Sequence, residues 1–175
     1  MTNADQHHLT QRFSRVSRSL LNSLLFGLFV TGPIQAADGV PGIGLKLIAD
    51  GIAAPVALSS LADGSGRLLL ADQAGLIYLL MRDGSRQAQP FLDIRDRLVR
   101  LNQGMDERGI SGLALSPRFK TDRKFYVVYN AALRAGAPSD WSNTMRLSEF
   151  RAPDQVTTVA LPDSERILLE IDKPD

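Results

Sequence analysis

The sequence predicts an all-β fold built from two successive four-stranded units. From residue 45 onward, short apolar runs alternate with turn sequences rich in Asp and Gly, which is the pattern of short strands joined by tight connections. The same order of runs and turns occurs twice along the chain. No long stretch repeats its apolar residues with the helical period of 3.6, so no helical pattern competes with the strands.

The first unit follows an apolar opening at residues 45–48. Its loop at 62–66 and its turns at 72–75 and 83–84 are rich in Asp and Gly, which suit hairpin connections and positive φ. The predicted strands are 56–59, 67–71, 76–81 and 90–94. The charged segment 93–101 predicts a helical turn within a connection.

The second unit repeats the first at an offset of 57 residues. Ala57-Leu58-Ser59 recurs as Ala114-Leu115-Ser116, and the run 67–70 recurs at 124–127. The spacing then drifts because the loop 131–142 is longer than the turn 72–75, and the last two strands are predicted at 144–151 and 166–171. Two such units in succession indicate β-propeller blades, whereas a β-sandwich would share the short strands without the internal repeat.

Two blades do not close a propeller, which needs at least about four. Open blades expose strand edges and an apolar face, and such surfaces favour aggregation. The sequence therefore predicts that residues 45–175 form the N-terminal portion, about the first two blades, of a propeller in a longer protein. Residues 37–44 are expected to be a linker.

Residues 1–36 have the pattern of a secretory signal peptide. Arg12, Arg15 and Arg18 precede an apolar run at 20–30, a Gly-Pro breaker follows, and small residues surround a cleavage site after Ala36. The apolar run is too short to span a bilayer comfortably, and an uncleaved anchor is the alternative. We expect a periplasmic or secreted protein that has no stable membrane span after cleavage.

Removal of this leader changes the chemistry available to the chain. Both histidines, His7 and His8, leave with it, and the chain has no Cys. A Ser-His-Asp triad, a thiol nucleophile, a Cys/His zinc site and a disulfide are therefore excluded within the mature chain. Because the leader carries three arginines and one acid, the net charge changes from +1 to −1, which gives no basic footprint for nucleic acid.

The stretch 106–130, DERGISGLALSPRFKTDRKFYVVYN, resembles the soluble pyrroloquinoline-quinone (PQQ)-dependent sugar dehydrogenases, also called the glucose/sorbosone dehydrogenase family. Residues 106–117, with Phe119, are similar to that family's passage from a charged corner into a strand, and 124–129 is similar to the strand that follows. Further similar segments occur in the same order at 51–57, 63–72, 91–94, 146–150 and 165–172. The resemblance covers most of residues 45–175.

The resemblance implies a six-bladed β-propeller, of which this chain is an incomplete part, with PQQ over the central axis and calcium beside it. It also implies that a sugar loses a proton to a histidine base and a hydride to the quinone, with an electron acceptor as a further partner. In the family, that histidine lies in an Asn-His-Asn-Gly-Gly-like segment just after the position of Asp175. The basic residues that hold the quinone and the main calcium ligands also lie later. We therefore assign no catalytic residue and no metal ligand, and we expect the chain alone to be inactive.

Glu107 and Arg108 are the candidate residues that face cofactor or substrate. By the resemblance, Glu107 stands where some family members carry a side chain, often polar and uncharged, that faces the cofactor and the sugar. A carboxylate there can accept hydrogen bonds from sugar hydroxyls. A solvated turn acid paired with Arg108 is the alternative. The Arg108 guanidinium suits an anionic cofactor, or it braces two blades. The family often has His-Pro where this chain has Ser116-Pro117.

Other glycine and acidic positions predict structure rather than chemistry. Gly109 and Gly112 lack the context of a phosphate loop, so close backbone approach explains them better. Asp63, Asp72 and Asp83 lie among turn residues and outside any twelve-residue calcium loop, which predicts turn acids.

Three functions remain open at this stage. The first is the N-terminal part of an exported quinoprotein that oxidises a sugar or aldose by hydride transfer to PQQ. The second is a non-catalytic propeller that binds protein or glycan, since one fold hosts many functions. The third is a lactonase-type propeller hydrolase that uses a divalent metal.

Overall fold

The computed structural model describes residues 42–154 and 158–174. The predicted signal peptide and residues 37–41 of the predicted linker lie outside the described residues. The chain divides into two compact units, Met1–Gly44 and Leu45–Asp175. Every strand of the described part belongs to the second unit.

The second unit consists of two four-stranded antiparallel sheets, each with its strands in sequential order. Blade 1 contains β1 (Pro55–Ser60), β2 (Leu68–Asp72), β3 (Leu76–Leu80) and β4 (Leu92–Asp93). Blade 2 contains β5 (Ile110–Leu115), β6 (Lys124–Ala132), β7 (Asn143–Arg151) and β8 (Leu161–Lys173). A 3-10 helix, Arg95–Arg97, lies in the connection between blades, and the short helix α1, Phe119–Asp122, joins β5 to β6.

The predicted all-β architecture of two propeller-type blades is confirmed. The predicted helical turn within 93–101 is also present, as the 3-10 helix. The strand bounds differ most at the outer edges of the blades, because β4 has two residues and β8 has thirteen. The predicted last strand at 166–171 was too short because Pro162 and the charged residues that follow it do not have a strand pattern, although β8 pairs with β7 as far back as Leu161.

The internal repeat is real, but its predicted offset holds for only part of the blade. Each first strand has a bulge, and the pair Pro55–Asp72 in blade 1 corresponds to the pair Ile110–Tyr129 in blade 2. The first strands are therefore related by 55 residues and the second strands by 57. The connection that contains α1 accounts for the two extra residues. The similar sequences at 57–59 and 114–116 therefore do not occupy equivalent positions in the two blades, but positions that differ by two residues.

The core lies between the two blades. One face of blade 1 and the facing side of blade 2 alternate apolar residues with period two, as strands with one buried face require. The fully buried members are Leu69, Ala71, Ile77 and Leu79 from blade 1, and Phe125, Val127, Tyr129 and Phe150 from blade 2. The Phe125 ring lies 5.4 Å from that of Phe91 and 5.7 Å from that of Phe150, which joins the outer part of blade 1 to the centre of blade 2.

The opposite face of blade 2 is open. Tyr126 and Val128 occupy the positions that Leu69 and Ala71 occupy in blade 1, yet they are only half-buried, whereas Leu69 and Ala71 are 0% exposed. On the outer strand of the same blade, Leu169 is 51% exposed. The equivalent face of blade 1 is fully buried because blade 2 packs against it.

Candidate functional site

The charged corner before β5 is built around Asp106. Its carboxylate accepts hydrogen bonds from the Arg108 guanidinium at 2.9 and 2.7 Å and from the main-chain N–H groups of Asn102 and Arg108 at 2.7 and 2.9 Å. The Arg108 guanidinium and these two N–H groups hold the pKa of the Asp106 carboxyl well below its usual range. Asp106 and Arg108 therefore neutralise each other within the corner.

Glu107 is exposed between these two paired residues. Among the described residues, none forms a hydrogen bond or ion pair with its carboxylate. The predicted alternative of a Glu107–Arg108 pair is wrong, because Arg108 binds the carboxylate two residues earlier. The Asp106 side chain reaches back over the turn as far as the N–H of Asn102, which leaves Glu107 outside this set of bonds.

Gly109 is where blade 2 meets the β2–β3 turn of blade 1. Its φ is +110°, and a Cβ there would collide with the main-chain oxygen of Gln73. The predicted close approach is therefore confirmed for Gly109, although it occurs between blades rather than within the sheet. A Cβ at Gly112 would only reach ordinary contact with the Val128 side chain, at 3.6 Å, so close approach does not explain that glycine.

A cleft of about 460 Å³ lies beside this corner, at the end of the open face of blade 2. The two predicted site residues, Glu107 and Arg108, line it together with the last residue of β8 and the residue after it, Lys173 and Pro174. Residues at the start of β5, the end of β6 and the start of β7 also line it, so every strand of blade 2 contributes. The structure therefore brings both predicted residues to one cavity.

Polar side chains that the sequence did not single out also line this cleft. The Asn130 side-chain amide donates to Asn143 Oδ1 at 2.7 Å, and the Asn143 amide donates to Ser142 Oγ at 2.6 Å. Both asparagines are buried, with exposures of 8% and 3%. They lie on neighbouring strands and 13 residues apart in sequence, and the only sequence signal for them is an asparagine near the end of each strand pattern.

The Lys173 ammonium group has no hydrogen-bond or ion-pair partner within residues 42–154 and 158–174. The cleft thus combines one carboxylate and one ammonium group that have no partner among the described residues, together with a fixed amide pair. Many hydrogen-bonding groups with little net charge suit a neutral polyhydroxylated ligand. The wall offers no histidine, and no general base for sugar oxidation is evident among the described residues.

The described residues do not complete a site for the implied cofactors. Within the described ranges, no group of three or more His, Cys, Asp or Glu side chains is arranged to hold a metal ion. A tricarboxylate quinone needs several cationic partners, but Arg108 is already paired with Asp106 and only Lys173 remains among the described residues of the cleft. No step through PQQ or calcium follows from these side chains.

The three predicted turn acids are confirmed as such. The carboxylate of Asp63 accepts the N–H of Ser65 at 2.9 Å, and Asp72 and Asp83 make the same bond to the residue two positions on, at 3.0 and 2.9 Å. These carboxylates shape hairpin turns.

Ser116 occupies the position where the resembling family often has histidine. Its hydroxyl donates to Asp122 Oδ2 at 2.7 Å and accepts the N–H of Arg118 at 3.1 Å. Ser116 therefore organises the turn that contains α1, at the opposite end of the strands from the cleft. The exchange affects local packing and not the cleft.

No family model matches the chain. Over 128 residues the chain is 29% identical to Hedgehog-interacting protein from Mus musculus, which is 71% of this chain and 18% of that protein. The human Hedgehog-interacting protein is also 29% identical, over 131 residues, with 73% and 18% covered. The chain spans less than a fifth of the length of these curated relatives.

Solved structures of sugar dehydrogenases have a similar fold. A putative oxidoreductase (glucose dehydrogenase) from Thermus thermophilus matches with a TM-score of 0.55 and 22% identity, over 74% of this chain and 32% of that chain. The soluble aldose sugar dehydrogenase from Escherichia coli, in its apo-form, matches with a TM-score of 0.55 and 15% identity, over 71% and 32%. No helix among the described residues is long and apolar enough to cross a membrane.

The chain spans about a third of the length of these two structures. At such identities the similarity establishes the fold and leaves substrate and cofactor open. The described chain therefore has the fold of two blades of a β-propeller of the kind found in sugar dehydrogenases.

Proposed function

We propose that this chain forms the first two blades of an exported quinoprotein dehydrogenase that oxidises a sugar or aldose, with PQQ and calcium as cofactors. One observation carries the proposal. The cleft gathers Glu107 and Arg108 with Lys173 and Pro174, and the family resemblance places the histidine base just after Asp175. The end of β8 thus leads the chain to the wall where the two sugar- or cofactor-facing candidates lie.

The open face of blade 2 supports the continuation of the propeller into further blades. Tyr126, Val128 and Leu147 form an apolar stripe at positions whose counterparts in blade 1, Leu69, Ala71 and Ile77, are covered by blade 2. Another blade packed on this stripe would bury it in the same way. It would also supply the missing wall of the cleft, which adjoins that face.

Glu107 is the residue of this chain that we expect to contact the sugar. Its carboxylate has no competing partner among the described residues and can accept hydrogen bonds from two sugar hydroxyls. In the family, PQQ supplies the hydride acceptor when bound, and by this resemblance most of the residues that hold it follow Asp175.

A dye-linked assay tests the proposal. The full-length protein is supplied with PQQ, calcium, a dye acceptor and a panel of aldoses. We expect dye reduction with at least one aldose, and we expect Glu107→Ala to raise KM for that sugar. The matched control is Glu170→Ala, which removes a carboxylate of the same blade outside the cleft. The absence of dye reduction with every aldose would overturn the proposal.

A second candidate is a propeller that binds a partner without catalysis. The observation that favours it is the 29% identity to Hedgehog-interacting protein, which exceeds the identity to either dehydrogenase structure. The two candidates differ in the same assay, since a binding protein would not reduce dye. A histidine base after Asp175 would be dispensable for it.

Export rests on the sequence pattern of residues 1–36. We expect the native protein to begin at Ala37, because the small residues before it suit signal cleavage. N-terminal sequencing of protein from the periplasmic or secreted fraction tests this. A start at Met1 in that fraction would contradict cleavage.

A further inference from the structure

Gln73 lies in the β2–β3 turn of blade 1, and its side-chain NH2 and its main-chain oxygen are both bonded to the corner of blade 2. Its side-chain amide donates to the main-chain oxygens of Asp106 and Arg108, the latter at 2.8 Å. Its main-chain oxygen accepts the N–H of Ile110 at 3.0 Å. Its own N–H donates to Ala54 O at 2.9 Å, which fixes its backbone in blade 1.

The two carbonyls held by Gln73 lie on either side of Glu107. A glutamine amide has two donor hydrogens, and one is available for each carbonyl. Fixing the carbonyls of residues 106 and 108 fixes the peptide planes on either side of Glu107 and its neighbour. The direction of the Glu107 side chain, which lines the cleft, is therefore set from the neighbouring blade.

The β2–β3 turn does not need this amide for its own structure. Asp72 O accepts the N–H of Gly75 at 3.1 Å, and the Asp72 carboxylate accepts the N–H of Ala74 at 3.0 Å. These bonds close the turn without the Gln73 side chain. The corner likewise has its own Asp106–Arg108 clamp. The Gln73 amide instead fixes the position of the corner relative to blade 1.

We propose that Gln73 is a positioning residue that holds Glu107 toward the cleft and thereby sets the affinity of that cleft for its sugar. The sugar-binding part of this inference rests on the proposed function. Gly109 belongs to the same contact. Because glycine has no Cβ, the corner can come close enough to Gln73 for the amide to reach both carbonyls.

The test compares Gln73→Ala and Gln73→Glu in the full-length protein loaded with PQQ and calcium. Gln73→Glu keeps the shape but replaces the donating NH2 group with a carboxylate oxygen that repels the two carbonyls, so its effect should be the larger. Gln87→Ala, from the connection that follows β3, is the matched control. We expect KM for the sugar to rise by about tenfold, as the loss of one or two hydrogen bonds implies, with kcat within about twofold.

Hydrogen exchange provides a readout that does not depend on activity. Peptides covering residues 102–109 should exchange several-fold faster in both Gln73 variants, whereas peptides from β7 should not change. Unchanged exchange at the corner would overturn the positioning role, and so would faster exchange with an unchanged KM. If the protein reduces no dye with any sugar, the proposed function fails, and the exchange data alone decide whether Gln73 holds the corner.

Discussion

At the scale of the residue, one hydrogen bond recurs in this chain: an aspartate carboxylate accepts the main-chain N–H of the residue two positions later. Such side chains mimic a backbone turn and end one strand before the next begins. The structure contains this bond in both blades and at the corner beside the cleft. The aspartates that make it are Asp63, Asp72, Asp83, Asp93, Asp106 and Asp122. The chemistry of these acids is therefore local.

Gly109 is expected to be intolerant of a side chain. Gly109→Ala combines a positive φ, which costs about 1–3 kcal/mol for a non-glycine residue, with a collision against Gln73 O. Gly112→Ala is the control, since its Cβ has ordinary contacts. Urea unfolding should show a much larger loss of stability for the first variant. Equal losses in the two variants would contradict the close approach of the blades.

Asp106 predicts a loss of stability in acid. Hydrogen bonds from the Arg108 guanidinium and two N–H groups lower the pKa of Asp106 below its ordinary value of 3.8. The pair therefore stabilises the fold fully above that value, and the contribution is lost as the pH falls through the lowered pKa. The difference in unfolding free energy between the natural protein and Asp106→Asn should shrink below about pH 4. A constant difference from about pH 7 to about pH 3 would show that the pair contributes nothing.

The sequence predicted turn acids well but did not show which partner each charged residue takes. The motif around Asp63 is local, so its role can be read from neighbours in the sequence. The alternative that pairs Glu107 with Arg108 is wrong, because adjacency in sequence does not indicate which carboxylate bends back over a turn. The role of Gln73 could not be predicted for a different reason, because the residues that it binds lie 33 and 35 positions away in the sequence.

At the scale of the element, β8 is fixed to the connection between blades by a partly buried hydrogen-bond network. The Tyr129 hydroxyl donates to Glu165 Oε1 at 2.6 Å, and the Arg97 guanidinium donates to Glu165 Oε2 at 2.6 Å. Tyr129 is fully buried on β6, Glu165 lies on β8, and Arg97 lies in the 3-10 helix. The outermost strand is therefore tied both to the core and to the preceding blade.

Glu165→Ala should weaken this network markedly. It leaves the buried Tyr129 hydroxyl without its carboxylate acceptor, and a lost buried hydrogen bond of this kind costs roughly 1–3 kcal/mol. Glu170→Ala on the same strand breaks the half-exposed pair with Arg146 and should cost less than about 1 kcal/mol. Chemical denaturation of the two variants measures both values. The opposite ranking would show that the network does not hold β8.

The order and type of the strands could be predicted, whereas their outer limits could not. Tight turns with Asp and Gly marked the ends of β2 and β3 closely. The outer strand β8 carries charged residues on much of its length, so its pattern did not separate strand from loop until pairing with β7 revealed it. The helix α1 has four residues, which is too short for a periodic pattern to appear.

At the scale of the whole molecule, two blades cover each other on one side only. The blade-to-blade core is fully buried, while Leu169 and Ile171 on blade 2 are 51% and 40% exposed. A sheet face with exposed apolar residues and a free edge strand is an interaction surface unless another element covers it. Within residues 45–174, the two blades thus bury one face of each sheet against each other, and the opposite face of blade 2 carries exposed apolar side chains.

Residues 37–175 produced alone should associate. We expect light scattering to show oligomers or aggregates and thermal unfolding to lack a single cooperative transition. Leu169→Lys places a charge on the open face and should reduce association, whereas Lys120→Ala, on α1 and away from that face, should not. A monomeric chain with one sharp transition would show that two blades suffice, and would contradict the proposal of a longer propeller.

We propose that this chain supplies two blades of a longer enzyme whose base follows Asp175. Peptide mapping of the native protein tests it most directly. Because trypsin cuts poorly between Lys173 and Pro174, cleavage after Arg166 yields a peptide that starts at Ile167 and includes Asp175. We predict that this peptide continues beyond Asp175 and that a histidine lies in its added part or in the next tryptic peptide. A native peptide that ends at Asp175 would contradict the claim.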